Sequence, residues 1–90
     1  MKISYAREFV KEYERADGKI KRAFKKRVEL FNKNPFYPQL HNHPLSGKYS
    51  GYRSINITGD WRAVFLVIKE NNSYIVVSFE MLGTHSQLYK

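Results

Sequence analysis

A chain of 90 residues with 42% hydrophobic and 27% charged residues, five glycines and three prolines has the make-up of one small folded domain over residues 1–90, which excludes disordered and fibrous classes. The absence of cysteine excludes a disulfide framework and a thiolate zinc site, and the longest strongly apolar run, Ala63 to Ile68, is too short to span a bilayer. A formal net charge of +8 calls for an anionic partner, most often nucleic acid in so small a domain, and most of the excess lies in residues 1–34, where eleven lysines and arginines face five acids.

In chain order, the start MKISYAREF lacks the apolar core of a signal peptide, so a soluble cytoplasmic protein without membrane attachment is expected, and Lys2 to Tyr5 reads as a short strand. Phe9, Val10 and Tyr13 recur at helical spacing, which predicts a first helix from about Ala6 to Ala16, broken at Asp17-Gly18. Ile20, Phe24, Val28 and Phe31 share one face of a second helix that ends at Asn34-Pro35, while Lys21, Arg22, Lys25, Lys26 and Lys33 fall mostly on other faces. The tight break makes the pair an antiparallel hairpin. Residues 34–51, rich in Pro, Asn, His, Ser and Gly, read as an irregular connection ending in a turn. Arg53, Ile55 and Ile57 alternate with Ser54, Asn56 and Thr58, a strand with one apolar face. Beyond a Thr58-Gly59-Asp60 turn, Trp61 to Lys69 is apolar on both faces, the pattern of a central strand. An Asn71-Asn72-Ser73 turn leads to a last strand, Tyr74 to Leu82. The fold class is therefore α+β: a helical hairpin layered on an antiparallel meander, preceded by the short strand.

Two segments, HPLSGKYSGYRSINITGDWR from His43 to Arg62 and GTHSQLYK from Gly83 onward, gather residue types that folding alone does not require. Cleaving RNA without a metal needs groups that take a proton from a ribose 2′-hydroxyl and return one to the departing 5′-oxygen, and imidazoles, with an ordinary pKa near about 6.5, suit both steps. Arginine suits the phosphate charge, and aromatic rings suit unpaired bases. His43, His85 and Asp60 fit the proton steps, Arg53 and Arg62 the phosphate, and Trp61 and Tyr89 the bases. Duller roles compete for each: His41 as a surface residue, Trp61 as a core aromatic, Asp60 as a turn former, Arg53 as a strand tie to Glu80, and the helix lysines as a solvated face.

HPLSG, GYR, the GDW turn and GTHSQLY, in this order and spacing behind a basic helical hairpin, resemble the RelE/ParE superfamily of bacterial toxins, and most closely its YafQ-like branch. The resemblance covers essentially the whole chain. It implies a type II toxin that acts as a metal-independent, ribosome-dependent endoribonuclease, cutting mRNA in the decoding site with no small-molecule cofactor and held inactive by a cognate antitoxin. By position it carries the branch's active-site set onto His43, Asp60, Trp61, His85 and Tyr89. Two positions depart from the pattern: Asn56 stands where a histidine is usual and Met81 where an arginine is, which leaves slower or altered cleavage open. Arg62 matches an arginine that RelE-type members place on the central strand. The resulting expectation shares proton transfer among His43, Asp60 and His85, with either order of base and acid open. Arg62 and Arg53 stabilise charge, Trp61, Tyr89 and Asn56 contact RNA, and Lys21, Arg22, Lys25 and Lys26 meet ribosomal RNA backbone. Two alternatives stand beside it: a non-catalytic RNA- or ribosome-binding module, and a same-fold toxin that acts on protein, as ParE-like members do on gyrase.

Overall fold

The computed structural model describes residues 1–72 and 74–89, so Ser73 of the predicted turn and Lys90 of the tail lie outside the described residues. Along the chain run β1 (Lys2–Tyr5), α1 (Arg7–Arg15), α2 (Gly18–Lys33), β2 (His43–Pro44), β3 (Arg53–Asn56), β4 (Trp61–Asn71), β5 (Tyr74–Thr84) and α3 (His85–Leu88), with single 3-10 turns at Pro38–Leu40 and Gly47–Tyr49. The strands form one sheet in the order β1-β5-β4-β3-β2. The meander of the last three long strands is antiparallel as expected, but the sheet is mixed: β1 joins its edge parallel to β5, with Lys2 opposite Val76 and Tyr5 opposite Phe79. No sequence rule assigns a partner to an isolated four-residue strand, and the helical hairpin is the crossover that a parallel neighbour requires.

Asp17 starts α2 by accepting the Ile20 amide on its carboxylate (3.0 Å), so the residue read as part of a break is the N-cap of the second helix. With only Ala16 and Asp17 between them, both helices return to the same face of the sheet. Their apolar faces meet it around Phe79, which is fully buried with Phe9, Phe24, Phe31 and Phe65 each at 5.5–5.7 Å between ring centroids. Ile55, Ala63, Val77 and Leu82 complete this core.

β4 is the middle strand, and Ala63, Val64 and Phe65 are buried on both of its faces. Its outer half differs from the expectation: Val67 is 42% and Ile68 60% exposed, because the β4–β5 arm runs on beyond the elements that cover the sheet. Among the described residues no helix is long and apolar enough to cross a membrane.

Candidate functional site

Side chains alternate across a strand, and cross-strand partners share a face. Pairing therefore sets His43, Ser54, Val64 and Met81 in one row across β2, β3, β4 and β5, with Asn56, Arg62 and Gly83 in the next. Ile55, Ala63, Phe65 and Leu82 lie between them on the helical face, so both rows lie on the face away from α1 and α2. β2, which the sequence does not announce, is what brings His43 onto the edge of that face.

The tail folds back over these rows. Thr84 and Gln87 cap α3 reciprocally, each side chain bonding the other's backbone amide. Gly83 gives the returning helix room, since a Cβ there would stand 3.1 Å from Gln87 Oε1 and 3.4 Å from the Leu88 side chain. The His85 amide donates to the Asp60 carbonyl (2.9 Å), tying the first residue of α3 to the β3–β4 turn. One turn later the Tyr89 hydroxyl donates to Ser54 Oγ (3.0 Å), a hydroxyl with no solvent exposure at all.

Between tail and sheet edge lies a cavity of about 390 Å³, lined by His43, Leu45, Ser46, Lys48, Tyr49, His85 and Tyr89. The His85 ring packs on Tyr89 (4.8 Å), and Tyr89 stands edge-on to Tyr49 (6.0 Å). His43 is oriented by its neighbour: His41 adopts a left-handed conformation (φ 48°), and its carbonyl lies 2.8 Å from His43 Nδ1, with the two rings 4.7 Å apart. A carbonyl only accepts, so Nδ1 carries the hydrogen and the lone pair of the neutral ring resides on Nε2. His41 thus acts through its backbone, a role that the surface-residue reading did not include.

His43, His85 and Tyr89 come together as the sequence led one to expect, and Asp60 joins them through its backbone. The others lie elsewhere. Arg62 shares the face but its guanidinium donates to the carbonyls of Thr58 (3.0 Å), Trp61 (3.0 Å) and Gly59 (3.2 Å), fastening the β3–β4 turn. Arg53 points to the helical side, where it donates to Asn42 Oδ1 (2.8 Å) rather than to Glu80 and lies over the Phe36 ring (5.4 Å). Trp61 is on that side too, packed against the core beside Glu12, Arg15 and Leu88. Glu12 accepts the Leu82 amide there (3.1 Å); burial pushes its carboxyl above the ordinary value, against the pull of that amide. Asn56 lies in the Arg62 row, with its Oδ1 buried and without a hydrogen-bond partner among the described residues.

Lys21, Arg22, Lys25 and Lys26 are on α2, and none lines the histidine cavity. Lys25 instead rims a groove of about 250 Å³ walled by Tyr5, Phe9, Val10, Tyr13, Phe24 and Val28, which holds no group able to move a proton at neutral pH. Lys48 and Tyr49 are the cavity residues that motif reading passed over. Their signal was present: a cation and an aromatic between two glycines, in a loop that starts four residues after His43.

The sequence model of the family described as the bacterial toxin of type II toxin-antitoxin system, YafQ, matches residues 1–90. Among solved structures, the chain is similar to YafQ from E. coli strain BL21(DE3), with 24% identity, 98% of this chain and 97% of that one covered, and a TM-score of 0.78. It is similar to the YoeB/ParE toxin from Agrobacterium tumefaciens, with 24% identity, 94% and 99% covered, and a TM-score of 0.76. It is also similar to the E. coli DinJ-YafQ complex, with 25% identity, 98% and 97% covered, and a TM-score of 0.64. No curated protein matches the chain.

Proposed function

Because this chain belongs to the YafQ family of bacterial toxins of type II toxin-antitoxin systems, we propose that it stops translation as a metal-independent endoribonuclease that cuts mRNA on the ribosome. The observation that carries this reading is the pair of imidazoles, His43 and His85, facing one cavity with one of them fixed in its tautomer. With Nδ1 committed to the His41 carbonyl, His43 Nε2 is the basic atom, and it takes the proton of the ribose 2′-hydroxyl. The freed oxygen attacks the adjacent phosphorus, closing a 2′,3′-cyclic phosphate as the bond to the 5′-oxygen breaks. His85, in its protonated form, delivers a proton to that oxygen, so proton count and charge balance. Tyr89 and Tyr49 supply ring surfaces for bases.

Asp60 reaches His85 through the backbone alone among the described residues, and its part is to hold α3 in place. Asn56 and Met81, where relatives of the resemblance carry His and Arg, make this a slower member. An open cavity with few fixed groups gains from a ribosome that holds the strand in line for attack. The neighbour solved as the DinJ-YafQ complex supports a cognate antitoxin as the protein partner here as well.

The test is primer extension on mRNA in a translating extract. The wild-type chain should produce discrete cuts that disappear in folded His43→Ala and His85→Ala variants. Absence of cuts with wild-type protein, or their persistence in both variants, would overturn the reading.

A further inference from the structure

Resting on that reading, one component of the reaction is unaccounted for: a cation for the phosphate, whose negative charge grows as the 2′-oxygen attacks. The three positions from which one would come do not supply it. Arg62 spends its guanidinium on three carbonyls of its own turn, Arg53 lies on the opposite face of the sheet, and position 81 is a methionine.

We propose that Lys48 is this cation and a catalytic residue, its Nζ binding a non-bridging oxygen of the scissile phosphate between His43 and His85. Among the described residues, Lys48 is the one lysine or arginine that lines their cavity. Its Nζ stands over the Tyr49 ring at 5.2 Å, and no carboxylate pairs with it among the described residues, so its charge is available to an incoming anion. The ring holds the ammonium by attraction to its π face while leaving the hydrogens free to donate.

The loop is shaped to present it. Gly47 (φ 64°) and Gly51 (φ 96°) take conformations that side chains disfavour, on either side of Lys48, Tyr49 and Ser50. The Tyr49 amide donates to the Ser46 carbonyl (3.2 Å), that of Ser50 to Gly47 (3.1 Å) and that of Tyr52 to Tyr49 (3.0 Å), so the loop closes on itself. The Leu45 amide then fastens it by donating to Tyr52 (2.9 Å), two residues from His43. Ammonium and base are thus carried on one short rigid segment. Met81 lies in the His43 row three strands further in, on β5, so a long cation placed there would approach the same phosphate from the sheet side.

Single-turnover cleavage of mRNA on programmed ribosomes, measured beside ribosome affinity, tests the assignment. Lys48→Ala should slow cleavage about 100-fold, the scale of losing one donor to a developing oxyanion, while affinity changes less than about threefold. Lys48→Arg should retain most of the rate, and adding Met81→Arg to Lys48→Ala should restore at least about tenfold, which a merely structural role would not allow. If wild type cuts and Lys48→Ala cuts within about threefold of it, Lys48 is not the phosphate cation although the nuclease reading stands. If wild type does not cut at all, both fail. Lys48 is exposed on a loop, so each variant should melt with the wild type, and a rate loss accompanied by equal loss of affinity would also overturn the proposal.

Discussion

Asn56→Leu should make the protein more stable and, on the proposed function, slower to cut RNA. Asn56 is partly buried at the end of β3, and its Oδ1 is enclosed without a donor among the described residues. Leaving a buried acceptor unpaired costs about 1–3 kcal/mol, and an apolar side chain of similar length removes that penalty. Because the residue keeps some exposure, we take the lower end, a gain of about 1 kcal/mol. In a domain of this size that raises the melting temperature by roughly 4–8 °C. With a urea m-value of about 1–3 kcal/mol/M, the midpoint should rise by roughly 0.3–1 M with the slope unchanged. Asn56→Asp should move it the other way, since it places an unpaired carboxylate where no donor waits. The amide is retained, on this account, for contact with RNA, so the stabilised Leu variant should cut more slowly. A midpoint that stays put or falls in Asn56→Leu would mean that the oxygen is not starved of a partner.

Phe79→Ala should be the most damaging single change. It empties the centre of five aromatic contacts, for about 3–5 kcal/mol out of a total stability of about 5–13 kcal/mol for 90 residues, and circular dichroism melts should show a collapse in transition temperature or no cooperative transition. Glu12 is expected to tilt stability with pH. Its folded pKa is raised, so the folded chain keeps the proton longer, and stability is lost as pH rises past the ordinary 4.5 and the carboxylate forms. Glu12→Gln keeps an acceptor for Leu82, and its urea midpoint should fall less over that rise than the wild type's. Reversing Lys25 and Lys26 to Glu should weaken ribosome binding and reduce its dependence on salt without changing the single-turnover rate, and a rate loss at unchanged affinity would contradict a backbone-contact role.

Much of this architecture was legible because strong periodicities wrote it. Phe9 and Tyr13, though not the 42% exposed Val10, and the four-residue spacing from Ile20 to Phe24 to Val28 turn to the core as their spacing marks, Ile55 and Ile57 do so on β3 and just after it although Ser54 on the other face is buried too, and His43, His85 and Tyr89 line one cavity. What escaped depends on information that spacing does not carry. β1 finds its partner seventy-odd residues away, and β2 exists because a two-residue stretch happens to reach the edge of β3. Which face a strand residue takes misled the reading of Arg53 and Trp61: both occur at strand starts, where motif proximity suggested the site, yet Arg53 pairs with core Phe65 and Trp61 packs against the core, both on the helical side. Lys48 was hidden for the opposite reason, in a loop read only as a turn.

The order of the sheet also dictates when the molecule can act. β5 is the last strand along the chain but lies inside the sheet, hydrogen-bonded to both β1 and β4, and it brings Phe79 to the centre of the core. A nascent chain that has not yet reached β5 lacks Phe79, on which both helices pack, and leaves its first strand with no neighbour. His85 is the residue that follows β5. The face that carries His43 and His85 and the folded state therefore arrive in the same step, and no shorter intermediate of synthesis brings these two histidines together.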